Sequence, residues 1–108
     1  ASVDSLPTSG MQEDHVSMAW GAVRKLRRVV DNVRRILAVE LAVSGRAVDL
    51  RAPLVPAAGT GAALAALRSD VPGPGPDRFL SPELAAAEEL LRSGAVLAAV
   101  EEAIGPLA

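Results

Sequence analysis

Residues 19–41 read AWGAVRKLRRVVDNVRRILAVEL, and within them Ala19, Val23, Leu26, Val30, Val33, Leu37 and Leu41 recur at steps of three and four. Those steps follow the 3.6-residue turn, so the residues trace one face of an α-helix. Upstream, Ser9-Gly10-Met11-Gln12 has the form of a capping box, which would start the helix near Gly10 or Met11. Downstream, Gly45 offers a break ahead of Arg51-Ala52-Pro53. The spacing therefore predicts one long helix over 12–50, reached through a loop over 1–11.

The remainder, 51–108, reads as short helices and loops. Ala52-Pro53-Leu54-Val55-Pro56 predicts an extended connector, because proline disfavours helix at the residue before it and lacks a backbone donor. Thr60 would cap a short helix over 61–70, which ends before Pro72. Val71-Pro72-Gly73-Pro74-Gly75-Pro76 can only be a loop. Ser81-Pro82-Glu83 then offers a cap, a proline in the first turn and an acid near the helix N-terminus, so a third helix should run to Ser93. Gly94 should break it, leaving a last short helix over 95–102 before Gly105-Pro106-Leu107-Ala108. The expected fold class is all-α: one long amphipathic helix followed by three short ones that fold back on it or on a neighbour.

The chain has 108 residues, half of them apolar, but only one Trp, one Phe and no Tyr. A modest helical core is possible at that size, whereas a large enzyme with an enclosed cleft is not expected. The Val and Leu stripe of the long helix has little else in the chain to cover it, which implies an exposed apolar face. A net charge of −2 gives no general attraction to nucleic acid or anionic membranes. Arg24, Lys25, Arg27, Arg28, Arg34 and Arg35 crowd twelve residues, but no aromatic side chains interleave for base stacking, so a solvated or subunit-facing flank is expected. Asp31 is placed to pair with Arg27 or Arg35 one turn away. There is no cysteine and a single histidine, so no metal site is expected, and no apolar run is long enough to span a membrane. The first residue is Ala1, not Met, which suggests trimming or the end of a longer polypeptide.

Chemistry concentrates in Met11-Gln12-Glu13-Asp14-His15, where an amide, two carboxylates and an imidazole follow one another at the expected helix start. Glu13 and Asp14 can simply complement the helix dipole while Gln12 closes the capping box, each charge stabilising by ~0.3–1 kcal/mol. Alternatively, Glu13 projects into a cleft completed by other chain segments, where it moves a proton or holds a cationic substrate. Periodicity does not choose between the two.

The run Val3-Asp4-Ser5-Leu6-Pro7-Thr8-Ser9-Gly10-Met11-Gln12-Glu13-Asp14-His15-Val16-Ser17-Met18 closely resembles the stretch before the last long helix of the histidine ammonia-lyases, in the aromatic amino acid lyase family, especially those of actinobacteria. Ile36-Leu37-Ala38-Val39-Glu40-Leu41, Arg51-Ala52-Pro53-Leu54, Gly75-Pro76-Asp77-Arg78-Phe79-Leu80 and the closing Gly105-Pro106-Leu107-Ala108 are also similar to that family's C-terminal segment. The resemblance spans the whole chain but only a C-terminal minority of the family's length. It implies a cytoplasmic carbon–nitrogen lyase, a homotetramer joined through its long helices, that eliminates ammonia from L-histidine to give urocanate. It further implies a methylidene-imidazolone prosthetic group formed from an internal Ala-Ser-Gly. No Ala-Ser-Gly occurs here; the nearest strings are Thr8-Ser9-Gly10, Val43-Ser44-Gly45 and Arg92-Ser93-Gly94. By motif, Glu13 corresponds to the family's active-site glutamate and Gln12 to its substrate-contacting neighbour, while Asp14 and His15 are expected to be structural. Gly10, where many members have Ala, is one departure. The expectation is a lyase segment that is inactive alone, the alternative a non-catalytic helical interaction module derived from one.

Overall fold

In the computed structural model, which describes residues 5–107, the apolar periodicity resolves into four α-helices: α1 (Ala19–Asp49), α2 (Ala58–Asp70), α3 (Ser81–Ser93) and α4 (Ala95–Ile104). Among the described residues there is no β-strand beyond one isolated antiparallel pairing. Ala1–Asp4 of the leading loop and the closing Ala108 lie outside the described residues. The chain divides into two compact units, Ala1–Val33 and Arg34–Ala108.

Within Arg34–Ala108, the face of α1 that packs is made of small residues. Ala38 and Gly45 are buried and Leu41 is partly so. Gly45, expected to break the helix, instead lies inside it: a Cβ at that position would sit 2.5 Å from Leu67 Cδ2, so its missing side chain is what lets α2 approach. Ala38, Leu67, Val71, Ala87 and Leu90 form the core, with Ala86, Leu91, Ala95 and Val96 packed against it. Helix α2, rich in Ala and Gly, makes its main contact with α4, where Gly59 approaches Ile104.

The connections differ in detail from expectation. After α1 the backbone turns, with Leu54 N–H donating to Arg51 O at 3.0 Å, and the Ala52–Pro53 peptide is cis; Ala57, at the end of the connector, is extended. Helix α2 begins before Thr60, capped by Ala57 in an extended conformation with no side-chain bond, so Thr60 falls inside the first turn. Ser81 likewise lies inside α3, whose capping position is Leu80, while Glu83 occupies the first turn as expected. Gly94 ends α3 at φ +79° and serves as the turn into α4, which runs on to Ile104.

Pro72, Pro74 and Pro76 each remove an N–H donor from the loop between α2 and α3, and guanidinium groups supply hydrogen bonds to its carbonyls from both sides. Arg68 donates to Val71 O (3.1 Å) and to Asp49 Oδ2 (2.9 Å), and Arg78 donates to Gly73 O (3.0 Å) and pairs with Glu83 through both carboxylate oxygens. This pairing, chiefly the hydrogen bond from Arg78, holds the Glu83 carboxyl below the usual carboxylate range.

Of the stripe that announced α1, Leu41 packs against the core, while the members before it are exposed. At 100° per residue, Leu26, Val30, Val33 and Leu37 are rotated by roughly a quarter turn from Ala38 and Gly45. All four are at least 40% exposed, so the apolar face stays uncovered as its length implied. The basic cluster lies largely at the surface, and Arg35 reaches Glu88 at 3.8 Å.

Candidate functional site

The expected helix start at 10–12 is a reversal of the chain. Ser9, Gly10 and Met11 have φ of 54°, 64° and 68°, three successive residues in the left-handed region, and Gln12 N–H donates to Ser9 O at 3.2 Å. A capping serine needs extended φ/ψ, so Ser9 cannot cap here and the Ser9/Gln12 capping box does not form. For Ser9 and Met11 this conformation costs roughly 1–2 kcal/mol each.

What stabilises the reversal is a short antiparallel pairing on either side of it. Pro7 faces His15, Val16 N–H donates to Leu6 O (3.1 Å), Glu13 N–H donates to Thr8 O (3.3 Å), and the Ser5 hydroxyl donates to Val16 O. The helix then begins at Ala19, whose N–H reaches Ser17 Oγ at 3.4 Å. The pairing takes up backbone groups that a helix from residue 12 would have used, which moves the start seven residues along.

Gln12, Glu13, Asp14 and His15 are all exposed on this hairpin. Because 13–16 is not helical, the 100° fan expected of these side chains does not arise. Among the described residues Glu13 is the one of the four with a side-chain partner: Thr8 Oγ1 donates to Glu13 Oε2 at 2.9 Å. His15 takes part through the backbone pairing, which suits a structural role. Thr8 was not singled out from the sequence, since a threonine in a Pro-Thr-Ser-Gly loop carries no signal until the reversal brings it back to residue 13.

Within Arg34–Ala108 a cavity of about 80 Å³ is bordered by Arg46, Arg68, Arg78 and Glu83. Among the described residues no group of three or more His, Asp or Glu could hold a metal ion, and no helix is long and apolar enough to cross a membrane.

Residues 1–69 match the family described as aromatic amino acid lyase. Histidine ammonia-lyase of Streptomyces griseus is 59% identical over 111 residues, covering 100% of this chain and 22% of the relative. Histidine ammonia-lyase of Sorangium cellulosum is 56% identical over 99% of this chain and 21% of its own length. Among solved structures, histidine ammonia-lyase from Trypanosoma cruzi superposes with a TM-score of 0.88 at 39% identity, over 96% of this chain and 21% of that one. Tyrosine aminomutase from Streptomyces globisporus gives a TM-score of 0.85 at 33% identity over 95% of this chain and 20% of that one. The chain thus spans about a fifth of the length of the relatives it matches.

Proposed function

Because this chain belongs to the aromatic amino acid lyase family, we propose that it is the part of a histidine ammonia-lyase that brings a carboxylate to the substrate's imidazole ring. The reaction is elimination of ammonia from L-histidine to give urocanate. The observation that carries this is the Glu13 carboxylate, held at the hairpin by one oxygen and exposed beyond it. A carboxylate suits an imidazole because it accepts a hydrogen bond from a ring N–H, and its charge favours the cationic ring once neighbouring chain segments exclude water. As a base it can also take a proton that the ring gives up. Gln12, its neighbour, offers an amide as a second substrate contact.

The methylidene-imidazolone group that the family implies supplies the electrophile for such eliminations, and the residues present do not fit it. The three Ser-Gly pairs sit in the hairpin reversal, inside α1 and at the α3–α4 junction, preceded by Thr8, Val43 and Arg92 rather than Ala. Residues outside these 108 must provide that group. The proposed assembly is a homotetramer in the cytoplasm. The uncovered row Leu26, Val29, Val33, Ile36, Val43 and Leu50 supports assembly through α1, because its steps of three, four and seven are those of a helix-pairing seam.

The test is a hybrid in which this chain replaces the matching segment of the Streptomyces griseus relative, with urocanate followed by its ultraviolet absorbance. The hybrid should turn over L-histidine, and the 108-residue chain alone should not. Glu13→Ala in the hybrid should depress turnover by about 100-fold or more, the range expected for a group that handles protons or charge. Asp31→Ala, on the helix flank, should change it by less than roughly twofold, as exposed charges contribute little. Urocanate formation by the chain alone, or equal small losses in both variants, would overturn the assignment. A hybrid that assembles but is inert would favour the non-catalytic module.

A further inference from the structure

Thr8 meets Glu13 twice. Its carbonyl accepts the Glu13 N–H at 3.3 Å, and its hydroxyl donates to Glu13 Oε2 at 2.9 Å. Among the described residues nothing bonds to Oε1. The two contacts close a ring around the left-handed reversal, so backbone and carboxylate are aimed together and the carboxylate's oxygens are divided: one anchored, one outward.

We propose that Thr8 is a positioning residue for Glu13, presenting Oε1 to an imidazole N–H of the substrate; this rests on the role proposed above for Glu13. A glutamate has three rotatable side-chain bonds, and on an exposed hairpin it would otherwise sample many rotamers. A ligand that must select one of them binds more weakly by the fraction of time that rotamer is populated. The hydroxyl at Oε2 removes that loss before the ligand arrives. A hydroxyl donating to a carboxylate is charge-assisted, which suits this contact to hold an exposed side chain. The left-handed conformation of Ser9 and Met11 is consistent with this, since the reversal returns Thr8 to within reach of residue 13.

The experiment compares Thr8→Val, which keeps the shape and removes the donor, with Thr8→Ser, which keeps the donor, in the hybrid enzyme. Two quantities are read: KM against kcat for L-histidine, and the calorimetric Kd for imidazolepropionate, the saturated and unreactive analogue of the product. Thr8→Val should raise both KM and Kd about tenfold, as loss of one charge-assisted contact predicts. Thr8→Ser should stay within roughly threefold of the parent, because the same donor remains. In a Glu13→Ala background, Thr8→Val should add nothing, since residues acting as a unit are not additive. Equal effects of Val and Ser, or a tenfold loss that persists without the Glu13 carboxylate, would show a merely structural threonine and overturn the proposal. If Glu13→Ala alone leaves KM, kcat and Kd unchanged, the role of Glu13 itself fails, and that of Thr8 with it.

Discussion

Two glycines do opposite work in the helical unit, and the same substitutions tell them apart. Gly45 has ordinary helical dihedrals but no room: a Cβ would press on Leu67, which is fully buried and cannot swing away. Alanine there gains up to ~1 kcal/mol of helix propensity but costs about 1–3 kcal/mol in overpacking, so the net effect is destabilising. Gly94 has empty space around it but a φ of +79°, where a side chain costs roughly 1–2 kcal/mol and asparagine least. Thermal melts should therefore rank Gly, Ala, Asn in falling stability at 45, and Gly, Asn, Ala at 94. The same order at both positions would mean that one of these causes is misassigned. From sequence alone both glycines read as helix breaks, because a glycine needed for close approach and one needed for a left-handed turn look alike until the partner is known.

At the scale of the element, α3 is tied to the loop before it by Arg78 and Glu83, whose side chains are 28% and 16% exposed. Because Glu83 titrates below the usual carboxylate range when folded, the pair's contribution is present above the unfolded carboxylate value and is lost as pH falls through the lower folded one. The unfolding midpoint should therefore fall on acidification below about pH 4, and Glu83→Gln should flatten that fall while lowering the midpoint at neutral pH. A variant with an unaltered acid slope would show that other carboxylates dominate. Here the sequence was informative: Ser81-Pro82-Glu83 marked the helix start to within a residue, since a proline and an acid suit only the first turn. The start of α1 was not legible, because Ser9-Gly10-Met11-Gln12 satisfies a capping pattern equally well while its backbone turns left-handed and pairs Pro7 with His15. The Glu13 motif was legible as chemistry, but its hairpin setting and the Thr8 contact depend on that reversal and could not be read from helical spacing.

For the molecule as a whole, the decisive feature is how little of its apolar surface the chain covers. The buried hydrophobic core among the described residues is Ala38, Leu67, Val71, Ala87 and Leu90, all in Arg34–Ala108. Meanwhile Leu26, Ile36, Val43 and Leu50 on or just after α1 are 60–70% exposed. The periodicity that made the helix legible was thus mostly that of an exposed surface, and the core-facing side, built on Ala38 and Gly45, was too small to register as a stripe. A seam of this kind is stable only when paired, so the isolated chain should associate with concentration, sedimenting above its 11.1 kDa monomer mass. Ile36→Lys places a charge in the middle of the seam without touching the core, and lysine is a good helix former. It should shift the population toward monomer while the hairpin, α2, α3 and α4 keep their own contacts. Association unchanged by Ile36→Lys, or a parent chain that remains monomeric at high concentration, would leave the row without the role of a pairing surface and would remove the support it gives to assembly through α1.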